Sequence, residues 1–86
     1  MPSLQFFIDN VCANFTEQSL WDLVKARLDR QPGAIADITR AIIEKDRSLD
    51  NKSARVLAEA AVRALAESGT VAAKGGHVYL AGRVPG

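Results

Sequence analysis

The stretch LAESGTVAAKGGHVYL, residues 65–80, decides the fold of this 86-residue chain. Its pattern is typical of a helix end followed by two short strands. Gly69 stands where a helix is commonly terminated by a left-handed residue. Gly75-Gly76 has the composition of a two-residue type I′ hairpin loop, because both loop positions require positive φ. We therefore predict strands over residues 70–73 and 77–80, joined by a tight turn.

The two faces of this hairpin differ in chemistry, since side chains alternate along a strand. The face predicted to meet the core holds four apolar residues, Val71, Ala73, Val78 and Leu80. The face predicted to be exposed holds Ala72, Lys74, His77 and Tyr79. The exposed face therefore carries a cation, an imidazole and a phenol.

Two helices are predicted at the start of the chain. Ser3 can cap a first helix in which apolar residues recur at helical spacing from Leu4 to Phe15. Thr16 can cap the second, with Phe15 and Leu20 placed as a hydrophobic staple. The buried side of the second helix is predicted to hold Leu20, Trp21, Leu23, Val24 and Leu28.

Two more helices are predicted between this pair and the hairpin. The third spans about residues 32–45, with Pro32 in its first turn, where the missing N–H costs no helical hydrogen bond. Its inward residues are Ala34, Ile35, Ile38, Ala41 and Ile42. The fourth begins after a cap at Ser48 or Asp50 and runs to residue 68, with its apolar stripe centred on Leu57, Ala61, Ala64 and Leu65.

Composition indicates one globular domain. Hydrophobic residues make up 48% of the chain and charged residues 24%, and no repeat or Gly/Ser/Pro-rich linker divides it. No apolar stretch is long enough to cross a bilayer and the N-terminus has no signal-peptide pattern, so we expect a cytoplasmic protein without a membrane partner. The single Cys12 cannot form an intramolecular disulfide, and we expect it to be a buried structural thiol of the first helix.

Charge is unevenly distributed although the net charge is only +1. Residues 1–29 hold two basic and four acidic side chains, a balance of −2. Residues 30–50 hold four of each, and residues 51–86 hold five basic and two acidic side chains, a balance of +3. This asymmetry favours an interacting face in the C-terminal part.

Three helices followed by a hairpin, with Leu65-x-x-x-Gly69-x-Val71 leading from the last helix into the first strand, resemble the winged helix-turn-helix superfamily. The resemblance covers about residues 17–82 and indicates no particular family. It implies a single domain of residues 1–86, in which residues 1–15 are an N-terminal accessory helix, 16–82 a winged-helix-like core and 83–86 a tail. The expected fold class is mostly α, with a three-helix core, a small β-hairpin as wing and the extra N-terminal helix.

The resemblance also implies a nucleic-acid interface. Residues 32–45 would be the first helix of the helix-turn-helix, and residues 49–68 the helix that enters the major groove in DNA-binding members. Residues 70–82 would form the wing. The helix at 49–68 is rich in alanine and Asn51 is its only Asn or Gln, so few of its side chains could read bases.

The candidate DNA contacts of the fourth helix are Lys52, Arg55 and Arg63. At 100° per residue they share one stripe with Glu59, opposite the apolar face, and Val56 lies on the same side. The alternative is a solvated face, because Glu59 can pair with Arg55 and Arg63 at i±4 and its carboxylate repels phosphate.

The candidate contacts of the wing are Lys74, His77 and Tyr79, with Arg83 just beyond them. They could line a phosphate backbone or a protein surface. The alternative is an edge hairpin kept soluble by its polar residues.

Phe6 lies on the side of the first helix opposite its apolar stripe. One helix packed on one core cannot bury both sides, so we predict a homodimer, with a frayed N-terminus as the alternative. The predicted interface residues are Leu4, Phe6, Phe7 and Val11.

No catalytic, cofactor, metal or small-molecule site is predicted. His77 is the only histidine, and no Cys, Ser or carboxylate stands at a spacing that local structure would bring to it. Gly75 and Gly76 already have a role in the turn, so they do not imply a phosphate-binding loop. We expect a protein that is not an enzyme.

Of two functions that remain open on the sequence, the first, DNA binding, is the prediction and the second is the alternative. One is a DNA-binding, transcription-regulator-type protein that contacts double-stranded DNA through residues 49–68 and 70–82. The other is a protein–protein interaction or adaptor module that keeps the winged-helix fold without DNA contacts, which the near-neutral charge and the alanine-rich helix favour.

Overall fold

A computed structural model describes residues 3–11 and 13–83 of the chain. Within these residues the order of elements is four helices, a hairpin and a short 3₁₀ turn. Their bounds are α1 Leu4–Asn10, α2 Glu17–Arg30, α3 Ile35–Lys45, α4 Asn51–Glu67, β1 Val71–Lys74, β2 His77–Leu80 and the turn Ala81–Arg83. The prediction of a mostly helical domain with one small hairpin is confirmed. Cys12, predicted to be buried, lies outside the described residues.

The first helix is shorter than predicted. The Ser3 side chain caps it by accepting a hydrogen bond from the Phe6 N–H, but α1 ends at Asn10 rather than reaching Phe15. The reason is tertiary: the loop after α1 is held by a hydrogen bond from the Asn14 N–H to Asp46, far along the chain. Leu4 and Ile8 nevertheless belong to the same core cluster as the other helices, so α1 is integrated into the domain.

The second helix begins as predicted. Thr16 and Ser19 form a capping box in which each side chain bonds the other residue's N–H, at 3.0 and 2.9 Å. The fully buried face of α2 consists of Leu20, Val24 and Leu28. Trp21 and Leu23, predicted on the same face, are only half-buried at its margins.

The third helix starts three residues later than predicted. Gly33 is not helical, because its N–H and C=O exchange hydrogen bonds with Val78 of β2, at 3.3 and 2.8 Å. The helix begins at Ile35, and Asp37 accepts a hydrogen bond from the Ala34 N–H at its start. The prediction that Pro32 lies in the first turn of this helix was therefore wrong: the segment 32–33 runs beside the hairpin instead.

The interface between α3 and α4 is the most extensive contact between helices. The buried face of α3 is formed by Ile38, Thr39 and Ile42, and the Thr39 hydroxyl donates to the Ile35 carbonyl. The buried face of α4 is formed by Ala54, Leu57, Ala58, Ala61 and Leu65. Three alanines on this face let the two backbones approach closely around the larger leucines.

Of the two predicted caps of α4, Asp50 is the one used. Its carboxylate accepts a hydrogen bond from the Ser53 N–H at 2.8 Å. The helix ends at Glu67, and Gly69 follows with φ of 79°, the left-handed conformation predicted for it.

The hairpin has the predicted register. Val71 pairs with Leu80, Ala72 with Tyr79, Ala73 with Val78 and Lys74 with His77. Gly75 and Gly76 have φ of 61° and 80°, as the type I′ turn requires. Val71 and Val78 are buried as predicted and Leu80 is half-buried.

For one residue of the predicted core face of the hairpin, the prediction was wrong. Ala73 is exposed rather than buried, whereas Val78, its partner on β2, is buried, because β2 also pairs with Gly33 and β1 is the edge strand. On the opposite face, Ala72 and Tyr79 are half-buried, whereas Lys74 and His77 are exposed. The register was predicted correctly, but burial also depends on whether a strand has a neighbour on both sides.

Replacing Gly76 with valine should destabilise the domain by roughly 1 kcal/mol or more, because a β-branched residue is a poor occupant of a positive φ. Urea unfolding followed by circular dichroism would measure the change. The matched control is Gly82→Ala: Gly82 has no positive φ, and a Cβ there would meet nothing within 4 Å. Equal stability of Gly76→Val and Gly82→Ala would contradict the turn geometry.

Asp46, directly after α3, is a carboxylate that is only 6% exposed and joins two loops. It accepts hydrogen bonds from the Asn14 N–H at 2.9 Å, from the Ser48 N–H at 3.1 Å and from the Ser48 hydroxyl at 2.6 Å. These donors, the Asn14 N–H foremost, hold the pKa of the Asp46 carboxyl below its ordinary value of 3.8. The carboxylate therefore fastens the α1–α2 loop to the α3–α4 turn.

Candidate functional site

The outer side of α4 carries an alternating row of charges. Residues at intervals of four form one exposed row, which we call the α4 ridge: Arg55, Glu59, Arg63 and Glu67. Each interval turns the row by about 40°, so the row winds from the α3 side of the helix at Arg55 to the α1 side at Glu67. Arg55 Nε donates to Glu59 Oε1 at 3.0 Å, and both side chains are more than half exposed. Arg63 and Glu67 form no ion pair within residues 3–11 and 13–83. The predicted pairing of Glu59 is thus present with Arg55 and absent with Arg63.

Lys52, the remaining predicted contact on this helix, is exposed in the first turn of α4. The sequence placed Lys52, Arg55 and Arg63 on one outward stripe, and all three are exposed there. The same surface also presents Glu67, which the sequence analysis did not include. With two carboxylates among three cations, the exposed side of α4 has little net charge.

A cleft of about 190 Å³ lies between α1 and α4, beside the ridge. Its apolar lining consists of Leu4, Phe7, Val56, Ala60 and Ala64. Its charged lining consists of Glu59, Arg63 and Glu67, all members of the α4 ridge. The cleft is therefore an apolar depression with one charged border, and α1 occupies the flank of α4 on its other side.

The predicted interface residues of α1 differ in exposure. Leu4 is buried in the domain's own core, and Phe7 and Val11 are half-buried against it. Phe6 is 53% exposed, and its ring meets the Phe7 ring edge to face, with 5.5 Å between centroids and 86° between planes. Phe6 is thus the one predicted interface residue that offers most of its side chain to solvent.

The outer face of the hairpin brings three of the predicted contacts together. The rings of His77 and Tyr79 lie 6.5 Å apart at 46°, and Lys74 and His77 are exposed. His77 Nδ1 lies 3.3 Å from the Gly75 carbonyl oxygen. This cluster has a cationic and aromatic character, as predicted, but it lies on a narrow two-stranded element.

Arg83 does not extend this cluster. Its guanidinium donates to the Asp29 carbonyl oxygen at 2.6 Å and lies 2.7 Å from the Asp29 carboxylate. Arg83 therefore holds the end of the hairpin against the end of α2. The sequence gives no signal of this contact, because the two residues are 54 positions apart.

A wider, polar cleft of about 390 Å³ between α2 and α3 was not predicted. Asp37 lies at its centre, 4.0 Å from both Arg27 and Arg40. Arg30 and Lys45 add further cations, and Glu44 adds a second carboxylate. The lining therefore holds four cations and two carboxylates, and this open surface is a solvated salt-bridge network with an excess of positive charge.

Metal-binding clusters and membrane-spanning helices are absent from the described part of the chain. It contains no group of three or more His, Cys, Asp or Glu side chains that could hold a metal ion. None of its helices combines the length and the apolar character needed to cross a bilayer. Comparison with protein-family models, with curated proteins and with solved structures gives no match.

Proposed function

We propose that this chain is a protein-interaction module that contacts a polypeptide partner through the cleft between α1 and α4 and the adjoining α4 ridge. The observation that carries the proposal is the placement of the exposed large hydrophobic residues. Phe6, 53% exposed, and Val56, 37% exposed, are the two such residues in the described chain. Val56 lines the cleft, and Phe6 packs on Phe7, which lines it too.

The chemistry of this surface suits a protein partner. An apolar depression bordered by charges of both signs resembles the general composition of protein interfaces, with an apolar centre and a polar rim. The border offers the Arg63 guanidinium and the Glu59 and Glu67 carboxylates as partners for opposite charges. We expect a partner segment that inserts an aliphatic or aromatic side chain and carries both a cation and a carboxylate nearby.

The architecture that we propose for the module is winged-helix-like. Helices α2, α3 and α4 form the three-helix core, and the hairpin follows α4 directly through Gly69. The exchange of hydrogen bonds between Gly33 and Val78 supports this arrangement, because it docks the hairpin beside the start of α3. The helix α1 is an addition on the flank of α4.

Double-stranded DNA is the second candidate partner, in a transcription-regulator-type role. The exposed cations Lys52 and Arg63 on α4 and the exposed Lys74 and His77 on the hairpin favour it. Three observations favour the protein partner over DNA: Glu59 and Glu67 stand among the cations, α1 occupies one flank of α4, and Arg83 is engaged by Asp29. Carboxylates on a contact face repel phosphate, and a helix with an occupied flank enters a major groove less readily.

Site-specific photo-crosslinking tests the proposed function. A photoreactive amino acid at position 6 should yield a covalent adduct with a polypeptide in the cells that produce the protein, because Phe6 is exposed and packs on Phe7, which lines the cleft. The matched control is position 36, which is also an exposed helical position but lies on α3. We expect adducts from position 6 and few or none from position 36. Equal adducts from both positions, or none from position 6, would contradict the proposal.

DNA binding is measured with the purified chain in parallel. Fluorescence anisotropy with random-sequence duplex should detect no binding at about 50 mM salt if the partner is a protein. Binding that is clear at about 50 mM and falls tenfold or more by about 200 mM salt would instead favour the DNA-binding function, because neutralised phosphates release counterions. The variant Lys52→Ala should reduce the salt dependence in that case.

A further inference from the structure

We infer that the partner of this module is a second copy of the chain, bound antiparallel through the α4 ridge. The inference rests on the proposed function and names the partner for the same surface. The ridge spans residues 55–67 of a helix that covers Asn51–Glu67, so it presents nearly the whole outer side of α4. A helix side of this length, extended by Phe6 and the cleft, offers one continuous contact surface.

The charge pattern of the α4 ridge is complementary to that of a second α4 ridge that runs in the opposite direction. Basic residues at 55 and 63 alternate with acidic residues at 59 and 67. A two-fold axis midway between positions 59 and 63 places Glu59 opposite the partner's Arg63. Because a row of residues four apart is inclined by about 26° to the helix axis, two helices that cross at about 50° run their rows side by side, and the same axis then places Arg55 opposite the partner's Glu67. Because a two-fold axis repeats every contact, four ion pairs cross the interface.

The same pattern disfavours other arrangements. Parallel packing would set every charge opposite its own copy, which is repulsive. Sliding the antiparallel pair by four residues would also oppose like charges, and sliding it by eight would leave only two of the four pairs. The alternation therefore selects one orientation and one register, as charged positions do in helical coiled coils.

Within one copy of the chain, only two of the four charged side chains of the ridge form an ion pair with each other. The Arg55–Glu59 pair is formed internally at 3.0 Å, whereas Arg63 and Glu67 have no ion pair in the described residues. Exposed ion pairs contribute little individually, so they supply orientation more than affinity. The affinity has to come from apolar contact beside them.

Apolar surface that can supply this affinity lies beside the ridge. Val56 is exposed in the single chain and lines the cleft on the α1 side of the ridge. A two-fold axis perpendicular to two antiparallel helices keeps both copies of α1 on the same side of the helix pair. Both Phe6 rings and both clefts therefore flank the same junction, where burial of Phe6 and Val56 from water favours association.

The test is self-association of the purified full chain, measured by light scattering coupled to size exclusion. The wild-type mass should rise from the 9.3 kDa of one chain toward twice that value as concentration increases to about 500 µM. Arg63→Glu and Glu59→Arg each turn the two central pairs into like-charged contacts. We expect either variant alone to dimerise about tenfold or more weakly than wild type.

Mixing the two variants supplies the decisive measurement. The acidic side chains of Arg63→Glu then face the basic side chains of Glu59→Arg, so the mixture should dimerise more strongly than either variant alone. Arg40→Glu is the matched control, since Arg40 is exposed on α3 and lies outside the ridge. Phe6→Ser should weaken the dimer without a change of charge. Circular dichroism and thermal melting check that each variant folds.

Three outcomes would overturn the inference: a wild-type mass that stays at one chain, a dimer that persists in both single variants, or a mixture that fails to dimerise. In each case an adduct from position 6 to a different polypeptide in cells would leave the proposed function standing with another partner. Absence of that adduct as well would remove the proposed function too.

Discussion

Replacing Leu57 with alanine should lower the free energy of unfolding by about 2–5 kcal/mol. Leu57 is 0% exposed and lies in the middle of the buried face of α4. Its neighbours on that face are Ala54, Ala58 and Ala61, whose short side chains cannot move into the space left by the removed atoms. Alanine is also the best helix former, so the loss would come from packing and not from helix propensity.

Urea unfolding monitored by circular dichroism would measure this loss, with Val56→Ala as the matched control on the next residue. Val56 is 37% exposed, so its truncation should cost less than about 1 kcal/mol. A domain of this size has a total stability of only about 5–15 kcal/mol, and the Leu57→Ala variant should therefore unfold at a visibly lower urea concentration. Equal effects of the two truncations would contradict the packing of α4 described above.

Asp46→Asn should produce the second large effect, and this effect should depend on pH. The substitution keeps the size of the side chain but removes the carboxylate that accepts hydrogen bonds from the Asn14 N–H and from Ser48. One of these donors would then face an amide NH₂ group instead of an oxygen. We expect the melting temperature at about pH 7 to fall by several degrees.

The pH dependence follows from the lowered pKa of Asp46. Because its pKa in the folded chain is below the ordinary value of 3.8, the unfolded chain takes up a proton first as the pH falls. The stability that the carboxylate contributes is therefore complete well above pH 3.8, and it is lost as the pH falls through the folded-state pKa. The difference in melting temperature between wild type and Asp46→Asn should shrink over the same range.

Differential scanning calorimetry between about pH 7 and pH 3 would measure this difference. Hydrogen bonds from Ser53 also lower the pKa of Asp50, so acid lowers the stability of wild type and variant equally through Asp50. The difference between their melting temperatures therefore excludes the contribution of Asp50. Asp9→Asn, on the exposed side of α1, is the control and should change the melting temperature little at pH 7. A deficit of Asp46→Asn that stayed constant with pH would contradict a role for the charge.

Local sequence signals predicted the parts of the fold that are fixed by near neighbours. Gly75-Gly76 determines the hairpin register, and the caps at Ser3 and Thr16 depend on residues three positions away. The mistakes arose where distant contacts override local preference. The loop after α1 is held by Asp46, which is 32 positions from Asn14, and the start of α3 is displaced by the pairing of Gly33 with β2.

The candidate site also has a part that local sequence patterns predicted and a part that they did not. Helical periodicity was enough to place Arg55, Glu59 and Arg63 on one exposed line and to mark Phe6 as a residue outside the core. The cleft depends on α1 packing beside α4, a contact between the two ends of the helical region that no local pattern encodes. Glu67 continues the row at the next interval of four, in the last residue of α4, where a sequence pattern does not fix how far the helix extends.

The hydrogen bonds between Gly33 and Val78 have a consequence for the order in which the chain acquires structure. A two-stranded hairpin is marginally stable in water by itself, although its turn can close within microseconds. Here β2 also needs a partner that lies before α3, and that partner comes into place only when the helices have packed. Contacts between such distant residues form slowly. The hairpin should therefore form only transiently early in folding. It should become stable in the final step, after the helices have packed, and it should not be the folding nucleus.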